Sequence, residues 1–324
     1  MAGVSTIEAQ AGLRKRLLAR RRNLGDGAAY VLTLLFATLI LILTVLVLYE
    51  LFAASHLSRA RFGFSFVFSR SWNPVTGQFG ALPFIYGTVV TSLVALVIGA
   101  PLGLGCAIFL SELAPRKISD ALTFVVELLA AVPSVIYGLL ALFALVPLLR
   151  NPVEPWLRKC FGFLPLFQGP AQGVGLLAAG VVLAIMVVPF ITSVSRESLL
   201  AVPREQREAA LALGATRWEA TWSVVLPYAR SGIGGAIFLA LARALAETMA
   251  VTMVIGNDPQ IHTSLFAPGY SIAAVIANEF TEAVTNLHLS ALIELGLVLF
   301  VITVVINGFG QLLMLATGPG RGRS

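Results

Sequence analysis

Six runs of about 20 or more apolar residues, at 29–52, 86–110, 121–149, 173–195, 229–255 and 289–315, constrain this chain more than any other feature. At roughly 1.5 Å per residue, each can cross a hydrocarbon core about 30 Å thick as a helix. The composition agrees: 58% of the residues are hydrophobic and 12% charged, against about 25% charged in an ordinary soluble domain. The reading is an all-α polytopic membrane protein with six transmembrane helices in one domain over 29–315. A basic segment (1–28) precedes that domain and a short tail (316–324) follows it. The third run carries Pro133 and Pro147, which predict a bend and an end.

Lys and Arg orient the spans, because cytoplasmic loops hold the excess of cations. Six lie before the first run, two in the second loop, five in the fourth and two in the tail. The opposite side has six, and Arg243 lies within a run. Both termini are therefore expected in the cytoplasm. The cations sit beside membrane ends, not in a basic groove with interleaved aromatics, so the pI of 9.7 does not point to nucleic acid. The run from Tyr30 to Leu48 exceeds a secretory h-region of about 7–15 residues, which predicts a retained first helix. Cys106 and Cys160 make no disulfide framework, and His56, His262 and His288 are scattered, so no metal site is expected.

Outer loops are expected at about 53–85, 150–172 and 256–288. The alternation Phe62-Gly63-Phe64-Ser65-Phe66-Val67-Phe68 reads as an aromatic belt or as a docking surface for an external partner. The stretch from Tyr270 to Val284 reads as a short helix lying outside or dipping back.

The loop at 196–228 is a polar island. Pro203 can begin a helix, and Arg204 to Leu213 are nearly all good helix formers. Gly214 can adopt the left-handed conformation that closes the helix. Thr216-Arg217-Trp218-Glu219 fits a capping box that starts the next helix. The loop thus reads helix, glycine turn, helix. Its spacing, Glu208-Ala209-Ala210, Gly214, then Val224-x-Leu226-Pro227, resembles the EAA motif of ABC importer permeases. The resemblance implies that Arg207, Glu208, Ala209, Ala210 and Gly214 form a coupling site for a separate ATPase. The sequence has no G-x-x-x-x-G-K-S/T, so ATP and Mg belong to that partner, and no cofactor is expected on this chain.

A closer resemblance runs from about residue 72 to 256. Trp72-Asn73-Pro74, Phe79-Gly80-Ala81-Leu82-Pro83-Phe84-Ile85-Tyr86-Gly87-Thr88, Pro101-Leu102-Gly103-Leu104-Gly105 and Ile108-Phe109-Leu110-Ser111-Glu112 are similar to the phosphate importer permeases. So are Val132-Pro133-Ser134-Val135-Ile136-Tyr137-Gly138 and Arg243-Ala244-Leu245-Ala246-Glu247-Thr248-Met249-Ala250. The order of motifs resembles the PstC-type subunit more than the PstA-type. The resemblance implies an inner-membrane permease that pairs with a PstA-type subunit, with two copies of an ATPase and with an extracytoplasmic phosphate-binding protein.

Arg243 and Glu247 are the charges deep within the fifth run, whose Arg230 lies at its edge. A charge in the membrane costs at least ~2.5–3.5 kcal/mol on insertion scales, which marks it as a functional candidate. Four residues apart on one helix, the two share a face and can pair. One reading has Arg243 attracting an oxyanion through charge-assisted hydrogen bonds, with Glu247 holding it and Thr248 and Ser134 nearby. The other is an ion pair that fixes helix packing. The residues leave three further functions open: a permease for sulfate or molybdate, a stand-alone secondary transporter, and a membrane enzyme. The second would show internal repeats and the third a metal cluster or a nucleophile beside a base; neither pattern is visible.

Overall fold

The computed structural model describes the backbone of residues 2–317 and the side chains of 26–312 and 314. The end of the expected tail (318–324) and the side chains of the basic segment 2–25 lie outside the described residues. Among the described residues the chain is helical and contains no strand beyond two isolated bridges.

Helix α1 (Ala2–Ala54) is a unit by itself and includes the first membrane-length stretch, Asp26–Ala54. The second unit begins with the short helices α2 (His56–Phe62) and α3 (Ser65–Phe68). Then come α4 (Leu82–Leu113), α5 (Arg116–Ala131), α6 (Ser134–Phe161), α7 (Leu176–Leu200), α8 (Arg204–Ala212) and α9 (Arg217–Ala246). The chain closes with α10 (Met249–Thr252), α11 (Ile272–Glu279) and α12 (Asn286–Thr317). Among the described residues six stretches are long and apolar enough to cross a membrane, as expected: one in α1, then α4, α6, α7, α9 and Asn286–Leu312 of α12.

Two of their boundaries differ from the expectation. The third span is Ser134–Phe161, not 121–149. Val132 is extended (φ −65°, ψ 130°) and ends α5. The cause is Pro133, which offers no N–H and disfavours helical backbone in the residue before it. The predicted loop at 150–161 is instead helix, because wide π turns at Ala141–Leu145 and Leu149–Val153 accommodate Pro147 and Pro152. The fifth span starts at Arg217 and ends at Ala246, whereas 229–255 was expected. A π turn at Thr221–Val225 carries the helix across Pro227.

The core forms where α4 lies along α7. Ala95, Leu183, Val187 and Ile191 are buried there. The backbones approach through glycines: a Cβ on Gly99 would stand 2.8 Å from Val187 Cγ2, and one on Gly103 2.8 Å from Ile191 Cβ. Small residues at such seams replace the hydrophobic drive that lipid does not supply. Thr192 Oγ1 adds a cross-link by donating to the Gly103 carbonyl at 3.2 Å. Replacing Gly103 with valine is expected to force the pair apart at a cost of about 1–3 kcal/mol; thermal melting of the detergent-purified protein measures it.

At the end of the unit that carries α2, α3 and α11, aromatic side chains close the fold. Phe66, Phe79 and Phe84 are buried, whereas Phe64 and Phe68 are exposed. The phenylalanine run is therefore half core, because helical backbone turns alternate rings to different sides. Glu279 holds this cap together: it accepts from Trp72 Nε1 at 3.0 Å and lies 3.0 Å from His288 Nε2. Phe79 stacks on His288 at 5.2 Å. Burial raises the Tyr270 phenol above its usual pKa, the hydrogen bond from Asn278 opposes this, and Glu279 and Glu282 add to the rise.

Candidate functional site

The loop between α7 and α9 has the predicted form. Pro203 caps α8, and Gly214 takes φ +89°. The Ala215 N–H donates to the Ala210 carbonyl (3.2 Å) and the Gly214 N–H to the Leu211 carbonyl (3.0 Å), the paired bonds of a Schellman stop. The Thr216 N–H donates to Glu219 Oε2 at 2.8 Å, and the Glu219 N–H returns to Thr216 Oγ1 at 3.3 Å, so α9 starts on a capping box. No residue of α8 is fully buried.

The predicted coupling residues divide by orientation. Glu208, Ala209 and Gly214 are exposed, and Ala210 is half-buried. Beside them Leu213 is 90% exposed, with Trp218 and Trp222 also exposed and stacked edge to face at 5.7 Å. Arg207 faces inward. Its Nε and Nη2 reach Glu112 Oε2 and Oε1 at 3.2 and 3.0 Å; Nη2 also donates to the Leu199 carbonyl and Nη1 to that of Val202. Glu112 escaped sequence reasoning because 95 residues separate it from Arg207. Only its place in the run Ile108 to Glu112 hinted at a role.

The second group of candidates surrounds two breaks in the membrane helices. α9 stops at Ala246, and Glu247 is extended (φ −69°, ψ 129°). The expectation that Arg243 and Glu247 share one helix face is therefore corrected. Glu247 turns to cap α10, its Oε1 3.5 Å from the Ala250 N–H. Among the described residues no ion pair joins it to Arg243. Thr248 Oγ1 donates to the Ala246 carbonyl at 3.3 Å, which closes the end of α9.

Arg243 lies in the last turn of α9 and is exposed on this chain. Its guanidinium carbon stands 5.9 Å from the ring centroid of Phe190. The negative end of a helix and an aromatic face both favour a cation, so Arg243 is stabilised while, among the described residues, no carboxylate forms an ion pair with it. Phe190, on α7, could not be found from the sequence, since a lone Phe in an apolar run carries no signal. Ser134 opens α6 after the break at Val132. α6 packs on α10, where Gly138 lies against Ala250 and Met253. Tyr137 on the same helix donates its hydroxyl to the Leu129 carbonyl at 2.7 Å, bracing the break.

A bundle of membrane-length helices with an exposed helix–glycine–helix loop defines an importer-type permease, and the similarities agree. Residues 99–318 match the family described as binding-protein-dependent transport system inner membrane component. A chain of a bacterial ABC transporter involved in the import of the acidic polysaccharide alginate has a similar fold, with TM-score 0.58 at 18% identity over 87% of this chain and 95% of that one. The phosphate transport system permease protein PstC of Mesorhizobium japonicum is 50% identical over 300 residues, covering 91% of this chain and 92% of the relative. That of Xylella fastidiosa is 51% identical over 257 residues, covering 78% of this chain and 79% of the relative. The chain belongs to the PstC-type family of phosphate transport system permeases. It is a multi-pass inner-membrane transport component and not an enzyme, and its class works with an ATPase and a substrate-binding protein.

Proposed function

We propose that this chain is the PstC-type subunit of an ATP-driven phosphate importer and forms half of the translocation pathway. The observation that carries the reading is the loop around Gly214: a short helix with an exposed face, stopped and restarted by hydrogen bonds, in a chain half identical to phosphate permeases. The excess of cations on that side supports a cytoplasmic position for the loop and both termini. There α8 meets one of two copies of an ATPase, which holds ATP and Mg. A PstA-type subunit completes the pathway, and an extracytoplasmic phosphate-binding protein delivers the ligand.

Phosphate is an anion with several acceptor oxygens. Arg243 offers planar, charge-assisted donors to it, and no ion pair with a carboxylate occupies them among the described residues. Thr248 and Ser134 add hydroxyls beside the two helix breaks. A pathway must also let the ion go, and a single guanidinium in an apolar wall binds it weakly enough for that.

The test is reconstitution. The chain is co-expressed with its partner permease and ATPase and placed in liposomes with binding protein and labelled phosphate. Uptake should require ATP, and excess sulfate or molybdate should not compete. Uptake without ATP, or competition by either oxyanion at equal concentration, overturns the reading.

A further inference from the structure

Glu112 ends the second membrane-length helix, and no role has yet been attached to it. The last turn of α4 is a wide π turn, Phe109–Leu113, closed by the Ala114 N–H on the Phe109 carbonyl at 2.8 Å. Glu112 receives the Nε and Nη2 hydrogens of Arg207 as a fork, the geometry in which an Arg–carboxylate pair is strongest. The remaining reach of the guanidinium goes to the carbonyls of Leu199 and Val202, at and just beyond the end of α7. The two side chains are 10% and 20% exposed, so water screens the pair little. They line a cavity of about 180 Å³ together with Leu211, Arg217, Ala220 and Thr221.

This arrangement has a mechanical consequence. α8 buries no residue of its own, and its flanks are non-helical at Pro203 and at the Gly214 turn. A helix so placed would swing on its two ends when pushed. The Arg207 fork removes that freedom by tying α8 to the ends of α4 and α7 at once. Those two helices are in turn locked along Gly99 and Gly103. We infer that Glu112 is a positioning residue for energy coupling: through Arg207 it makes α4, α7 and α8 one body, so that displacement of α8 moves the α4–α7 pair and not the loop alone. The Gly214 turn then passes motion separately to α9, which carries Arg243. The inference rests on the reading of α8 as the helix that meets the ATPase.

The test measures two rates in the full reconstituted complex: phosphate taken up and ATP hydrolysed. If the wild-type complex shows no ATP-dependent uptake, the proposed function fails, and it does so before any variant is made. Given wild-type uptake, Glu112→Gln keeps the shape and loses the charge. Phosphate moved per ATP should fall about tenfold, the scale of a pairwise coupling between contacting residues, with hydrolysis within about twofold of wild type. Arg207→Gln should lower the same ratio of phosphate moved per ATP, and the double variant should have a ratio no lower than either single one, because the two act as a unit. Rates that fall in parallel, or additive losses in the double variant, would overturn the inference. Should Glu112→Gln fail to assemble, Glu112→Asp keeps the charge one methylene short. It should give an intermediate ratio, and an unchanged ratio counts against the tie.

Discussion

Replacing Gly214 with valine is expected to abolish phosphate uptake while the protein still inserts in the membrane. Nothing lies within 4 Å of the position a Cβ would take, so the cause is conformation and not crowding. At φ +89° an L-residue is strained by about 1–2 kcal/mol, and a β-branched side chain by more. Elsewhere a packed helix would absorb such a cost. α8 is held through Arg207, well before the stop, and buries no residue of its own, so the strain is relieved by unwinding the two hydrogen bonds that stop the helix. Leu213 and Trp218 then lose their fixed spacing, and with it the surface proposed for the ATPase. Asparagine tolerates the left-handed region better than alanine, and alanine better than valine. Residual uptake should follow that order, Gly214→Asn, Gly214→Ala, Gly214→Val, with co-purified ATPase declining in parallel. Wild-type uptake by Gly214→Val would remove the turn from the mechanism.

The features legible in the sequence are those whose cause is local. A run of apolar residues specifies a span without reference to any other part of the chain. The stop at Gly214 and the capping box at Thr216 each depend on a few consecutive residues, and both are present in the predicted register. The third span was misplaced because proline is ambiguous in a membrane helix. Pro133 ends α5, whereas Pro147, Pro152 and Pro227 are carried through by π turns, and the choice is made by packing. The break at Glu247 has no proline or glycine to announce it: the residues from Ala244 to Ala250 would suit a continuous helix. Capping of α10 by Glu247 and the seat of α10 on Gly138 offset the lost helical bonds, and both involve tertiary structure. For the same reason the sequence paired Arg243 with Glu247, its neighbour in the helix, when Glu112 and Phe190 are the partners that folding brings to the two arginines.

Replacing Arg243 with glutamine is expected to reduce phosphate uptake by about two to four orders of magnitude, because two charge-assisted hydrogen bonds of about 1.5–3 kcal/mol each are lost to the ion. The stability of the protein should move the other way. A guanidinium in a membrane helix costs up to ~2.5–3.5 kcal/mol, the insertion-scale value for a helix centre, and no carboxylate offsets it among the described residues; the end of α9 and the ring of Phe190 do in part. Glutamine removes the charge and keeps the length, so the thermal midpoint of the detergent-purified complex should be equal or higher. Lysine separates charge from geometry: Arg243→Lys retains the attraction and loses the planar fork, so uptake should lie between the two. A structural pairing makes the opposite forecast, a lower midpoint with uptake falling only as far as the protein unfolds. Uptake and melting measured on the same three preparations decide between them, and near-normal uptake by Arg243→Gln would take Arg243 out of the pathway.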